Sequence, residues 1–322
     1  MGAGPFVVSE WIRGDRLVLK RNPDYFEPGK PYLDELILRD VVDAPTRLQS
    51  VQSGDADLAM NVNPDLGRQA REVGLSTAEQ VNGTQVMQMN TRRAPFDDIR
   101  ARRAVSLAID MDALNAAVFG GSGQVAHTQF PEQSPFYQPD PPLYVYDRAR
   151  AQQLFDELAA EGKPVEFTMT TFPSEARRAL ESIQAQLSTF RNVTAHVEIR
   201  DPAAVYVQLG NGAFQATAWG IQGVDPDPEL YSTFYSASKR NYTGISDPEL
   251  DAALIDGRTT ADPASRIAAY STAQARIAEL VPYVPYQRYR PQLILGAIGG
   301  AGFFGQGAVP TQDLWKTSLE GS

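Results

Sequence analysis

The ten residues Trp219-Gly220-Ile221-Gln222-Gly223-Val224-Asp225-Pro226-Asp227-Pro228 carry the densest set of groups in the chain that suit a small molecule. Trp219 offers a flat apolar surface with one N–H donor. Gly220 and Gly223 let backbone amides come close to a ligand. Gln222 adds a neutral amide and Asp225 a carboxylate. The stretch follows a strand-like run, Phe214 to Trp219, in a region of alternating strands and helices, and crevices in such sheets form beyond the carboxyl ends of the strands. Read without a ligand, the same residues are a core tryptophan and a helix-entry turn. Gln88 and Asn90 close another strand-like run and could present side chains to a solute, or cap the chain's exit from it. Arg288 and Arg290 lie on an extended segment, and their guanidinium forks suit a ligand carboxylate as well as a protein one. All of these groups can hold a molecule, and none of them forms a reacting set.

Catalytic constellations are thin. The two histidines, His127 and His196, have no partner at metal-ligand spacing. The acid pairs Asp97-Asp98 and Asp225-Asp227 have the residue types of glycoside hydrolysis, but adjacent acids in caps and turns are commonplace. No Gly-x-Ser-x-Gly, phosphate loop or dinucleotide fingerprint occurs, and Gly299-Gly300-Ala301-Gly302 lacks the following Lys. The chain contains no cysteine, which removes disulfides, thiolate metal sites and a Cys nucleophile. The expectation is therefore a binding protein, not an enzyme, with no metal and no cofactor. A formal net charge of -10 argues against nucleic acid and against an anionic membrane surface as partners. No run approaches the roughly 20 apolar residues of a membrane span.

The elements that must position these groups read as α/β. Phe6-Val7-Val8 and Leu17-Val18-Leu19 form two strands around the Gly14-Asp15 turn, and Leu36-Ile37-Leu38 a third. Ala44 to Ser53 has helical spacing, Gly54 stops it, and Ala56 to Met60 is again strand-like, an order that predicts a parallel crossover. Val86 to Met89 leads out of this region. Asp97 or Asp98 caps a helix with Val105, Ala108 and Ile109 inward and Arg100, Arg102 and Arg103 toward water or a partner. Further on, Arg148–Leu158 is amphipathic and Val165–Met169 a strand. Ser174 caps a helix to about Phe190, Val193–Ile199 alternates, Pro202–Leu209 is helical, and Phe214–Trp219 completes β-α-β-α-β. Asp262-Pro263 opens a long helix. Tyr283 to Leu295 is extended and predicts a return to the first region, where Gly296–Gly307 and Leu314-Trp315 would pack. Pro131 to Pro142 is a long surface loop.

Several ordered motifs carry a resemblance. Asn90-Thr91-Arg92-Arg93-Ala94-Pro95-Phe96-Asp97-Asp98 with Arg100, Arg102, Ala104, Ala108-Ile109-Asp110 is similar to a signature of the large extracytoplasmic solute-binding proteins of ABC importers, the peptide/nickel type known as family 5. Gly4-Pro5-Phe6, Trp11 and Gly14-Asp15-Arg16 precede it, followed by Arg21-Asn22-Pro23-Asp24-Tyr25-Phe26. Ser53-Gly54-Asp55-Ala56-Asp57, Trp219-Gly220 with Asp225-Pro226-Asp227-Pro228, and Ser246-Asp247-Pro248-Glu249-Leu250 also match in order.

The resemblance implies a periplasmic-binding-protein-like, two-lobed α/β fold (type II, class C-like) that lacks the N-terminal segment and inserted domain of longer members. One partial lobe would comprise residues 1–90 and 286–322, and a second α/β lobe residues 91–285. It further implies capture of a peptide-like or other small polar solute between lobes, delivery to ABC permease subunits, and an extracytoplasmic location, although no export signal is visible ahead of Gly4. Opening at the Gly-Pro-Phe motif suggests the C-terminal portion of a longer binder. The alternative is a non-transporting structural or interaction protein that retains the fold. The ligand-binding residues expected are Trp219, Gly220, Ile221, Gln222, Asp225, Gln88, Asn90 and Arg288. In peptide-binding members the residue three after this Trp is typically an Asp that pairs with the ligand's α-ammonium group. Gln222 occupies that position, so free-amino peptides are expected to bind poorly unless Asp225 takes the role.

Overall fold

The computed structural model describes residues 3–299 and the two-residue strand Ser318–Leu319. The chain divides into two units, one formed by residues up to Gln80 together with the return from Arg290, the other by Val81–Tyr289. The expected tail packing of Gly300–Gly307 and Leu314-Trp315 falls outside the described residues.

In the first unit, β1 (Phe6–Ile12), β2 (Arg16–Arg21) and β3 (Glu35–Arg39) form an antiparallel sheet in that order. Gly14 takes φ +73° at the hairpin turn, where Asp15 N donates to the Ile12 carbonyl. Helix α1 (Ala44–Ser53) has the predicted bounds: Asp43 accepts from Thr46 N at its start and Gly54 ends it at φ +80°. The predicted parallel crossover from β3 through α1 does not form. Strand β4 (Leu58–Asn61) belongs to a second sheet, and the crossover comes one step later, through α2 (Pro64–Glu72) to β5 (Ser76–Glu79). The reason is burial. The β1–β3 strands are largely exposed, whereas Leu48, Val51, Ala59, Leu66 and Ala70 close into one small core with Ile294 from the far end of the chain.

The second unit is built on a five-stranded sheet. Its members are β6 (Gly83–Met89), β7 (Val165–Thr171), β8 (Val193–Ile199), β9 (Ala216–Gln222) and β10 (Tyr283–Arg288). Their spatial order is β10-β6-β9-β7-β8, with β7 parallel to β8 and β9, and β6 antiparallel to β9 and β10. Placing the unit boundaries at residues 90 and 286 put β6 in the first lobe and divided β10 between the two, yet both strands lie in this sheet, and the crossings fall at Gln80–Val81 and Tyr289–Arg290. Both strands are apolar or buried on both faces, which demands cover on both sides. One face packs Met87, Met89, Ala216, Ala218 and Val284 into the larger core; the other packs Val86, Ile221 and Tyr283 into a second core.

The helices supply that cover: α3 (Ile99–Ala108), α4 (Met111–Phe119), α5 (Arg148–Ala160) and α6 (Ala176–Leu187) contribute to the larger core. Next come α7 (Pro202–Gly210) and α8 (Glu229–Phe234), then α9 (Pro248–Thr259) and α10 (Pro263–Leu280), the last three against the second core. Asp98 caps α3 by accepting from Arg100 N. Asp43, Asp110, Asp147, Asp201, Asp247 and Asp262 cap six other helices the same way. Ser174 is not a cap: α6 starts after Glu175 without a side-chain cap bond and ends at Leu187, short of Phe190. Arg102 does not face water. It is 5% exposed and donates from Nε to the Leu280 carbonyl at the end of α10 and from Nη1 to the Phe96 carbonyl. Desolvation pulls its pKa down to about 10, so it remains a cation at neutral pH. The return strand β11 (Gln292–Leu295) sits between β4 and β5, antiparallel to both, and β12 (Ile298–Gly299) pairs with β13 (Ser318–Leu319).

Candidate functional site

Trp219 to Gln222 are strand residues, not loop residues, since β9 continues to Gln222. Strand alternation sends Trp219 and Ile221 to one face of the sheet and Gly220 and Gln222 to the other. The packing agrees: Ile221 lies in the second core, while a Cβ on Gly220 would meet the Gln222 side chain at 3.0 Å. Trp219 is half-buried between Tyr206 and Tyr242, both edge-on at ring separations of 6.2 and 5.5 Å.

The end of β9 lies tightly against the start of β6. Gly83 pairs with Gln222 at φ +110°, and a Cβ there would come within 2.1 Å of the Ile221 carbonyl oxygen. Only glycine fits that approach. Gly223, at φ +140°, then turns the chain into Asp225, whose Oδ1 accepts from Asp227 N at 2.9 Å. Asp225 is also gripped by Arg266 of α10, from Nη1 at 2.8 Å and Nη2 at 2.6 Å. Burial alone would raise the Asp225 pKa, but the Arg266 and Asp227 hydrogen bonds and the Arg266 charge outweigh it and hold the carboxyl below its usual range.

Beyond this turn Glu229 opens α8, and a shallow recess forms between Phe130, Ile221, Gln222, Gly223, Pro226 and Glu229. The Glu229 side chain is 16% exposed, with Arg240 Nη2 at 3.8 Å and Thr233 Oγ1 at 3.5 Å. Burial raises its pKa against the pull of the Arg240 charge, the Thr233 hydroxyl and the Gln222 backbone N–H. Glu229, like Gln129, Phe130 and Leu230, lines the recess without having been expected there: after Asp-Pro-Asp-Pro it reads as an ordinary acid in the first turn of a helix.

The other expected residues sit elsewhere on the same sheet. The Gly83–Gln222 and Met89–Ala216 pairings put Gln88 and Asn90 at the opposite end of β6 from the recess, about 20 Å along the strand. Gln88 is fully buried, and neither amide atom has a hydrogen-bond partner among the described residues. Asn90 clamps the chain: Nδ2 donates to the Phe214 and Gly212 carbonyls at 2.9 and 3.2 Å, and Oδ1 accepts from Arg92 N at 3.2 Å. Arg288 is 3% exposed, and its terminal nitrogens donate to Thr84 Oγ1, Thr128 Oγ1 and the Gln129 and Phe130 carbonyls. No acid pairs with it among the described residues, and desolvation lowers its pKa to about 10. Arg290 pairs with Glu79. No grouping of His, Asp and Glu able to hold a metal exists among the described residues.

The recess lies at the carboxyl end of a parallel strand, where crevices of open α/β sheets form, and two acids, Asp225 and Glu229, border it. Residues 1–242 match the family described as bacterial extracellular solute-binding proteins, family 5 middle. The chain belongs to that family. Among its relatives is a probable di/tripeptide-binding protein 5 of Pseudomonas aeruginosa, 28% identical over 297 residues, covering 88% of this chain and 56% of that protein. The solved periplasmic binding protein DppA of Helicobacter pylori, in complex with the peptide STSA, superposes with a TM-score of 0.88 at 24% identity, over 99% of this chain and 63% of that one. AgaA of A. tumefaciens, in complex with agropinic acid, gives 0.86 at 23% identity, over 99% and 67%. The family-5 chain thus has the α/β fold of these binding proteins and spans little more than half the length of the curated relative. No helix among its described residues is long and apolar enough to cross a membrane.

Proposed function

We propose that this family-5 chain is part of the solute-binding component of an ABC importer. It captures a peptide-like or other small polar solute outside the cytoplasm and passes it to membrane permease subunits. It does no covalent chemistry. The observation that carries the reading is the match of residues 1–242 to the family of extracellular solute-binding proteins, and the shallow recess at the carboxyl end of β9, lined by Gln222, Gly223, Asp225 and Glu229, is consistent with it. Both di- or tripeptides and an opine-like solute are consistent with it, since the relatives' names include a di/tripeptide binder and a protein holding agropinic acid.

Thermal unfolding with di- to pentapeptides and with agropinic acid tests this. A ligand that binds only the folded state stabilises it by about 2.7 kcal/mol at a hundredfold excess over Kd. A saturable rise in melting temperature with one solute class is expected. Unfolding that no peptide or opine shifts at millimolar concentration would refute the reading.

A further inference from the structure

The chain holds two Asn-Gly pairs, Asn82-Gly83 and Asn211-Gly212, and the fold treats them differently. In such a pair no Cβ shields the glycine nitrogen, so it can reach the carboxamide carbon of the asparagine before it. Asn82 is fully buried, its N–H donates to the Tyr289 carbonyl at 2.8 Å, and Gly83 is a strand residue paired with Gln222. Asn211 is exposed at the end of α7, and its side chain makes no hydrogen bond among the described residues. Gly212 follows in the left-handed region at φ +60°. Two bonds close this helix end, from Gly212 N to the Leu209 carbonyl at 3.1 Å and from Ala213 N to the Gln208 carbonyl at 2.8 Å. An apolar contact across the turn often locks an ending of this kind. Here Val207 is 62% exposed and Ala213 is exposed as well, so no buried pair locks it.

We propose that Asn211-Gly212 is a site of spontaneous covalent modification, gated by the last turn of α7. With ψ of Asn211 at −1°, the side chain stands well out of the peptide plane in which the ring must close. Closure needs a large rotation about ψ, so the two terminal bonds of the helix open first, an event at the low-cost end of local unfolding. The Gly212 nitrogen then loses its proton to solvent base and attacks Cγ of Asn211. A C–N bond forms, the Cγ–Nδ2 bond breaks, and the amide group takes up a proton and leaves as ammonia. Water adds to one of the two imide carbonyls and opens the ring, to Asp or, where the original peptide bond breaks, to isoaspartate. The net change is water in and ammonia out. Arg93 Nε donates to the Gly212 carbonyl, and Arg92 Nη2 stands 3.6 Å from where a Cβ on Gly212 would be. Two nearby cations favour the deprotonated nitrogen that attacks. The products sit poorly in the fold. A carboxylate at the carboxyl end of a helix opposes the dipole, and isoaspartate lengthens the chain just ahead of the Gly212 and Phe214 carbonyls that Asn90 holds.

Folded and urea-unfolded samples of the 322-residue chain, incubated at mildly alkaline pH and mapped by tandem mass spectrometry after trypsin, test the proposal. Trypsin places the two pairs in separate peptides, residues 72–92 and 201–239. In the folded chain Asn211 should gain about 1 Da at a rate roughly tenfold or more above that of Asn82, and in urea the two rates should converge. Gly210→Ala places a methyl group in open space and stiffens the last turn, so conversion at Asn211 should slow about two- to fivefold. Equal rates at the two pairs in the folded chain would overturn the proposal. So would a folded chain whose Asn211 stays intact while the unfolded one converts, or an unchanged rate in Gly210→Ala.

Discussion

Arg266 grips both carboxylate oxygens of Asp225 across 41 residues of chain, at 2.8 and 2.6 Å. The same guanidinium donates from Nε to the Gly257 carbonyl and lies 5.1 Å from the ring centres of Phe136 and Tyr270. Asp225 is thereby a brace between the turn after β9 and helix α10. Asp225→Asn should lower stability by about 1–2 kcal/mol, a bidentate pair only partly shielded from water, and leave selectivity between free and blocked peptides unchanged. The pH dependence follows from its depressed pKa. The brace is fully present above the ordinary Asp value, about 3.9, and is lost as pH falls through the lower folded value. Denaturant melts of both forms between pH 7 and 3 check this: their stabilities should converge toward the acid end.

Arg288 ties the 128–130 segment to β6 through three contacts to that segment and one to Thr84, all to neutral acceptors. Arg288→Met keeps most of the apolar stem but removes four hydrogen bonds, while the Thr128 hydroxyl still donates to the Phe130 carbonyl at 2.7 Å, so a loss of roughly 2–4 kcal/mol is expected. Proteolysis near Gln129 should accelerate in the variant. Unchanged cleavage and stability would return Arg288 to the ligand role suggested by its chemistry.

Trp219 packs edge-on against two tyrosines, on the sheet face opposite the Gln222 side chain. Trp219→Ala should cost about 2–3 kcal/mol in unfolding experiments. Any effect on binding should be equal for free and blocked peptides, because the indole contributes contact area and no charge. A loss confined to the free amine would contradict that geometry.

On β1, Val8 and Trp11 are 65% and 66% exposed, and Phe26 nearby in sequence is 73% exposed. Exposed apolar residues of this size promote association. Sedimentation velocity of the chain should show concentration-dependent self-association, reduced in a Val8→Thr, Trp11→Lys double variant. Identical profiles for the two proteins would show that this sheet is not the adhesive surface.

Much of the fold was legible because its signals are local. Asp43 and Gly54 bracket α1 at the predicted residues, and Asp98 caps α3 as the Pro-Phe-Asp-Asp run suggests. What escaped depends on distant partners. Arg102 looks like a surface residue on its own helix, but its guanidinium closes the end of α10, 178 residues away. The boundaries at residues 90 and 286 left β6 in the first lobe and cut β10, because both-face burial is a property of the assembled sheet. Ser174 has the residue type of a cap, yet the helix starts two residues later without one. Glu229 reads in the chain as an ordinary first-turn acid, and its burial and its long contacts to Arg240 and Thr233 are visible only in the fold.

The placement of β11 between β4 and β5 fixes an order of events during synthesis. Asn61 Nδ2 donates to Gln292 Oε1 at 3.1 Å across 231 residues. A ribosome that has finished β4, α2 and β5 must therefore make the whole of Val81–Tyr289 before the central strand of that sheet exists. The second unit is contiguous and can collapse as it emerges, whereas the first waits with two strand edges unpaired. Chaperone dependence in this chain should accordingly concentrate on residues 58–79.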